Sequence, residues 1–529
     1  MSRCIKAIAD RGRKLLSDTG GNIGIIFAFS LLPILLAVGS AIDYGHYNQT
    51  RARIQSALDS TGLMLAHNVG TMPADDLLDL ADDFFAENFP AEPGVTINQL
   101  VTTVSGDNLR LEASASVDTY IMHLAGVEFL SANVDTEIVR SEDSYEVVMV
   151  LDNTGSMGGS KIAALKDAAE LLTNNLFGEQ TVHPLLDMAL VPFSHAVNVG
   201  TDNKNASWMD TQGKNPLHYD NFDEKEMKKK GLTRFDLFDR FRNVSWSGCV
   251  DARAYPLDVN DTAASSGNPD TLFVPYFAPD EPDFTYTCTS YRRNGTCRKS
   301  DKDYDVYSNS YLADDTAEDE EDKVKQENIS KYANNVRASD GSPNNGCTAN
   351  PIVPLTNKKS TITKALKDMK ADGYTNIAEG LMWGLRVISP GAPFTEGKPY
   401  TEKKHHKIII LLTDGQNDVP SFSSNSKNIN ENEYGPWGFA SSDRLVKTGS
   451  KNTYLNKMDV RTEDACDAVK DKDVELFTIT FQLSDSDTIN LMRNCATQPD
   501  MYYNSPDSST LSAVFKAIAT RISELRISK

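Results

Sequence analysis

The chain has 529 residues, of which 40% are hydrophobic, and carries 53 Lys or Arg against 74 Asp or Glu, for a formal charge of -21. That length allows two or three domains with real cores, and the composition excludes both a disordered tail protein and a polytopic membrane protein. So acidic a chain lacks the basic surface that phosphate-backbone binding needs, which excludes nucleic acid and leaves cations and proteins as partners.

Residues 1–22 carry Arg3, Lys6, Arg11, Arg13 and Lys14 against Asp10 and Asp18, and residues 23–42 carry no charge. About 20 apolar residues rising about 1.5 Å each match a hydrocarbon core of about 30 Å. The preceding basic excess places the N-terminus in the cytoplasm and everything after Asp43 outside. Ala37, Gly39 and Ala41 also fit the processing site of a cleaved signal peptide, which would make the mature chain a secreted species. The apolar run is longer than a signal core of about 7–15 residues, and helical patterning continues through Ile54, Leu58, Leu63 and Leu65. A retained anchor over 23–42 followed by a helical stalk over 43–94 is the preferred reading.

Residues 95–144 alternate apolar and polar at Leu109, Leu111, Ala113, Ala115 and Val117 behind a Gly106-Asp107-Asn108 turn, which predicts a small antiparallel β segment. From Tyr145 the pattern changes to short, continuously apolar strands at 146–152, 187–193, 407–414 and 474–481, with helical stretches at 160–176, 360–370, 376–388 and 462–472. Strands without alternation, separated by helices, predict an α/β domain over 145–526 with a doubly wound, mostly parallel sheet and helices on both faces. Residues 201–357 break this rhythm. They are rich in Asp, Asn, Ser, Pro and aromatics, include the acidic run ADDTAEDEED at 313–322, and read as a long insertion. The acidic run reads as a solvated elaboration; a calcium-binding loop is the sharper alternative, but EF-hand spacing is missing.

Seven cysteines show no C-x-x-C pair and no Cys/His cluster at zinc spacing. Outside the cytoplasm cysteines oxidise, and without Cys4 six remain. Cys288 and Cys297 lie close together in one polar loop, Cys466 and Cys495 flank a strand, and Cys249 and Cys347 are left to fasten the insertion; six cysteines allow other connectivities.

The first buried strand ends in Asp152-Asn153-Thr154-Gly155-Ser156, and the strand KIIILLTDG ends in Thr413-Asp414-Gly415. In an open α/β sheet, ligands bind at the carboxyl ends of strands. Asp152 with hydroxyls two and four residues on can turn hard oxygens to one point. Thr375, in the Gly373-Tyr374-Thr375-Asn376 loop ahead of a helix, and Asp414 complete an oxygen-only set. Such donors suit Mg²⁺, with Mn²⁺ or Ca²⁺ as alternatives.

These residues resemble the metal-ion-dependent adhesion site of von Willebrand factor type A (VWA) domains: D-x-S-x-S, a distant Thr, and an Asp in a T-D-G loop. Asp152, Thr154, Ser156, Thr375 and Asp414 match in order, with Thr154 where the family usually has Ser. The resemblance implies a VWA fold and a metal that accepts an acidic side chain from a protein partner. The stretch GNIGIIFAFSLLPILLAVGSAIDYGHYNQTRARIQSALDSTGLMLA is similar to the N-terminal module of TadG-like proteins of Flp/Tad pilus-assembly systems, as is PYFAPDEPD at 275–283. It implies a single-pass bacterial inner-membrane protein whose bulk is periplasmic or extracellular and whose partner is a pilus or envelope component. GSMGGSK at 155–161 is not a phosphate loop, since Ser160 and Ile162 flank the Lys where Gly and Ser or Thr are needed. His405 and His406 read as surface residues ahead of a strand. No G-x-S-x-G motif is present, and a metal-dependent hydrolase would need a general base that no pattern supplies; the expectation is a non-enzyme.

Overall fold

The computed structural model describes residues 22–66, 72–105, 108–139, 143–283, 285–303, 306–314, 320–339, 341–420, 422, 427–447 and 450–525. The basic stretch at 1–21, the Gly106-Asp107 part of the expected turn and residues 315–319 of the acidic run lie outside the described residues. The chain divides into two compact units, Met1–Glu142 and Asp143–Lys529.

In the first unit a 45-residue helix, α1 (Asn22–Ala66), is followed by α2 (Ala74–Asn88) and by β1 (Val95–Ser105), β2 (Asn108–Asp118) and β3 (Phe129–Val139), an antiparallel sheet in the order β1-β2-β3. The alternation along β2 puts Leu109, Leu111, Ala113 and Ala115 on one face, and Ile54, Leu58 and Leu65 of α1 with Leu77, Ala81 and Phe85 of α2 cover them. A three-stranded sheet needs such a cover to hold together in water. The helices read from sequence as a separate stalk therefore share one core with the β segment. The N-terminal part of α1 is different: Ile26, Phe27, Phe29, Ile34, Leu35, Val38 and Ile42 are all exposed. It is long and apolar enough to cross a membrane.

The second unit is built on a six-stranded sheet of β4 (Ser144–Asp152), β5 (Leu186–Phe193), β8 (Val353–Thr356), β9 (His405–Thr413), β10 (Glu475–Phe481) and β11 (Tyr502–Ser505), in the order β11-β10-β9-β4-β5-β8. Every pairing is parallel except that of β8 with β5. β6 (Thr285–Tyr291) and β7 (Cys297–Asp303) form a separate hairpin. All nine residues of β4 are buried, because alternate side chains enter two different cores. Val147, Met149 and Leu151 meet α3 (Ser160–Phe177), α4 (Lys359–Asp368) and α8 (Ser508–Leu525), while Val148 and Val150 meet α5 (Ile377–Ile388), α6 (Lys451–Lys470) and α7 (Ser486–Cys495).

α5 is buried along its whole length, Glu379 and Arg386 included, and the insertion supplies its outer cover. Trp208, Phe222, Phe238, Phe273, Phe277 and Tyr332 join Trp383 of α5 in one core, around a fully buried Arg234–Asp251 ion pair of 3.0 Å. Much of the insertion is thus a packed layer of the domain, where the sequence pattern shows only a long aperiodic stretch, and its last segment returns to the sheet as β8. Disulfides join Cys249 to Cys347, Cys288 to Cys297 and Cys466 to Cys495. A second correction concerns His405: its side chain is 2% exposed, with Nε2 3.2 Å from Glu146, whereas His406 is 22% exposed beside Asp143. The register that sets Lys407 opposite Glu146 buries that carboxylate between Lys407 and the His405 ring.

Close approach of α5 to the sheet requires glycine. A Cβ at Gly384 would lie 2.5 Å from Val150 Cγ2. Gly384→Ala gains about 1 kcal/mol of helix propensity but overpacks the core at about 1–3 kcal/mol. The net effect expected in denaturant titration is a destabilisation of about 1 kcal/mol, within a range of about 0–2, and a raised midpoint would contradict this packing.

Candidate metal centre

Parallel pairing of β4 with β9 brings the ends of both strands, Asp152 and Thr413-Asp414, to one edge of the sheet. Asp152 is completely buried. Its Oδ1 accepts from the Thr154 amide at 2.8 Å and its Oδ2 from the Thr413 hydroxyl at 2.7 Å, so one carboxylate ties both loops. The loop after Asp152 turns through a short 3-10 segment, Gly155–Met157, and sets Thr154 Oγ1 2.9 Å from Ser156 Oγ. Ser156 Oγ donates to Asp414 Oδ1 at 2.5 Å.

The third loop is fastened at both ends. The Gly155 amide donates to Gly373 O at 2.9 Å, and the Asp418 amide to Thr375 O at 2.9 Å. Asn417 Oδ1 accepts from the Ile377 amide at the start of α5, at 2.9 Å. A side chain at Gly415 would meet Thr375 Oγ1 at 3.7 Å and Ser156 Oγ at 3.8 Å. Glycine there leaves the space between these hydroxyls and Asp414 open. Asp152, Thr154, Ser156, Thr375 and Asp414 are therefore gathered at one point, four of them in one hydrogen-bonded chain and Thr375 across Gly415.

The electrostatics of this cluster favour a cation. Burial, reinforced by the charge of Asp414, pushes Asp152 up to about 6. Asp152 and Asp414 with the hydroxyls of Thr154, Ser156 and Thr375 form an oxygen-only set, which fits a hard divalent ion, although the Lys161 ammonium sits on Asp414. Among the described residues no group of three or more His, Cys, Asp or Glu is placed to hold a metal, so a metal here draws on the hydroxyls. His195, just after β5, is buried with its ring edge-on to Tyr374 at 6.4 Å, and burial pushes it down to about 4. It backs the Thr375 loop as a neutral side chain.

Sequence reasoning missed Lys161, which it weighed only within the rejected phosphate loop. Its Nζ lies 2.6 Å from Asp414 Oδ2 and its side chain is 25% exposed. Lys161 follows Ser160 at the start of α3, so its reach into the site depends on the turn at Gly158-Gly159, which no spacing rule predicts. Like charges a few Å apart repel by about 4 kcal/mol at an effective dielectric constant of about 20. Lys161→Met is therefore expected to raise Mg²⁺ affinity about tenfold or more, read by calorimetric titration; unchanged affinity would show that the ammonium does not oppose the metal.

Residues 332–517 match the family model of the von Willebrand factor type A domain, and residues 21–64 match that of Flp pilus-assembly TadE/G-like segments. The chain carries a VWA domain and a TadE/G-like segment. Thr375 and Asp414 fall inside the matched VWA stretch; Asp152, Thr154 and Ser156 lie upstream of it, beyond the insertion, and join it through the β4–β9 pairing. The curated proteins compared include no match. Among solved structures, the pilus adhesin SpaC from Lactobacillus rhamnosus GG is 14% identical, with 82% of this chain and 34% of SpaC covered and a TM-score of 0.30. The chain thus spans about a third of that adhesin. The vWF domain of the type V pili tip protein Mfa5 from Porphyromonas gingivalis is 11% identical over 72% of this chain and 95% of its own, with a TM-score of 0.32. The pilus adhesin RrgA from Streptococcus pneumoniae is 12% identical over 82% and 49%, with a TM-score of 0.31. Scores this low carry no functional inference.

Proposed function

We propose that this VWA protein is anchored in the bacterial inner membrane by residues 23–42, with residues 1–22 cytoplasmic and the bulk periplasmic or extracellular, and that it binds a protein partner of a tight-adherence pilus system without catalysing a reaction. The observation that carries the binding reading is the convergence of five oxygen side chains, from three loops, at the carboxyl edge of the sheet. Asp152, Thr154, Ser156, Thr375 and Asp414 would hold Mg²⁺, with Mn²⁺ or Ca²⁺ as alternatives, and the Asp152 carboxylate also ties the loops together through Thr154 and Thr413. A hard cation held there would supply a Lewis-acid contact for an acidic side chain of the partner. Gly415 keeps that approach clear, and the net charge of -21 makes a bridging cation necessary for an acidic ligand to settle on so acidic a protein.

The non-enzymatic reading draws support from the surroundings of the site. Asp418, the next carboxylate along its loop, is tied to Lys451 at 2.8 Å and is not held out towards the site as a general base would be. The disulfides support an oxidising compartment, and the exposed apolar stretch of α1 supports anchoring. The test is capture of envelope proteins by the detergent-solubilised full chain, in Mg²⁺ and in chelator, with Asp414→Ala as control. A partner retained only in Mg²⁺ and lost with Asp414→Ala is expected; capture indifferent to both contradicts the proposal.

A further inference from the structure

The loop joining β2 to β3 is built against the N-terminal helix at the point where its charge-free run ends. Asp43 is the first charged residue after that run. Its carboxylate accepts from the amides of Tyr120, Ile121 and Met122 at 3.0, 2.9 and 2.6 Å. One helical turn towards the span, about 6 Å along the axis, a Cβ at Gly39 would overlap Ile121 Cγ2, so the helix surface accepts the Ile121 side chain only because residue 39 is glycine. The loop is rigid in its own right. Thr119 bonds across it to Val127 O and Glu128 O, the Thr119 amide donates to Glu128 O at 3.0 Å, the Val127 amide donates to Met122 O at 3.1 Å, and Gly126 turns at φ 88°.

What this scaffold presents outward is mainly apolar, with His123 and Glu128 exposed among it. Leu124 is 77% exposed, Tyr120 62% and Phe129 51%, with Val127 beside them, and Glu128 is the one formally charged residue from 120 to 130. On the helix, Leu35, Val38 and Ile42 are equally bare. A contiguous apolar surface on a hydrogen-bonded loop requires a cover, and this one continues the surface of the span itself.

We propose that the loop at 120–129 docks into the outer leaflet as a second membrane contact beside α1; this rests on the anchoring read above. Depth fits the assignment. Ile121 packs one turn inside Asp43, in the boundary zone where apolar side chains enter by about 5–10 Å and where a tyrosine such as Tyr120, carrying both ring and hydroxyl, is favoured. With no Lys or Arg in the loop, binding comes from apolar burial and does not depend on anionic lipid or on salt. The contact would fix the unit's orientation on the membrane, which a single helix leaves free to swivel.

The test uses the full chain in lipid nanodiscs with brominated acyl chains, carrying Leu124→Trp or Leu35→Trp. The native Trp208, Trp246, Trp383 and Trp437 are all buried, and the unsubstituted chain serves as blank. Blue-shifted emission and bromine quenching are expected at both positions, unchanged between low and high salt and between neutral and anionic lipid. Quenching of Leu35→Trp with red, unquenched emission from Leu124→Trp leaves the anchor intact and overturns the loop assignment. Blue-shifted but unquenched Leu124→Trp assigns the cover to protein, a second copy or a partner, and overturns it also. Loss of quenching at Leu35→Trp itself refutes the anchor, and the loop proposal falls with it.

Discussion

Asp152→Asn is expected to abolish divalent-cation binding and, in chelator, to make the protein more stable than the unsubstituted chain above about pH 6. The buried carboxylate sits near pKa 6 in the folded state, against about 3.9 in an unfolded chain. Between those values the folded state holds a proton that the unfolded state has released, so stability falls as pH rises from about 4 to about 6 and stays low beyond. A displacement of this size is worth about 3 kcal/mol. Asparagine does not titrate; its oxygen still accepts from the Thr154 amide, and its nitrogen faces Thr413 Oγ1, whose proton can turn to Gly415 O at 2.9 Å. The gain over the unsubstituted chain should therefore reach about 3 kcal/mol above pH 6 and vanish below about pH 4. Comparing the two chains cancels the contributions of Asp280 and Glu281, which burial also pushes up, to about 6 and about 7. Added Mg²⁺ stabilises the unsubstituted chain by mass action and leaves Asp152→Asn unmoved. Equal stabilisation of both in urea titrations with and without chelator removes Asp152 from the site.

The second large effect is expected from Cys249→Ala with Cys347→Ala. These cysteines are 98 residues apart, and closing a loop of about 100 residues removes about 4.7 kcal/mol of unfolded-state entropy in the chain-entropy model, against measured losses of about 2–5 kcal/mol. Cys288 and Cys297 are 9 apart and lose less by the same relation. The large loop also reaches the metal centre. Thr348, next to Cys347, bonds Ser194 at 2.9 Å and Asp372 O at 3.1 Å, ahead of the loop that carries Thr375. The double substitution should lower the unfolding midpoint by most of this amount and weaken Mg²⁺ binding, whereas Cys288→Ala with Cys297→Ala should spare the metal. Equal losses from both pairs would contradict the assignment of Cys249–Cys347 as the fastening of the insertion.

How much of this was legible in the sequence depends on how local its cause is. Four of the parallel strands, β4, β5, β9 and β10, were readable because burial on both faces strips them of alternation, whereas the four-residue β11 was not; the three loops were readable because each ends such a strand or opens a helix with oxygen side chains. The cysteine pairs suggested by spacing are those of the structure. The antiparallel edge β8 was not readable: four residues in an aperiodic stretch carry no period, and their partner, β5, is remote in sequence. Nor was the packing of the insertion, whose aromatics find α5 without helix or strand periodicity. His405 looked like a surface residue because its burial is decided by Glu146 across the sheet. Lys161 looked like part of a nucleotide loop because its partner, Asp414, is 253 residues away.

The most direct test of a metal centre at this edge is anomalous diffraction from crystals of the protein grown with Mn²⁺. The account predicts a peak among Asp152, Ser156 Oγ, Thr154 Oγ1, Thr375 Oγ1 and the Asp414 carboxylate, lost in crystals of Asp152→Asn. A fully occupied peak elsewhere, with this cluster empty and Lys161 still on Asp414, would contradict it.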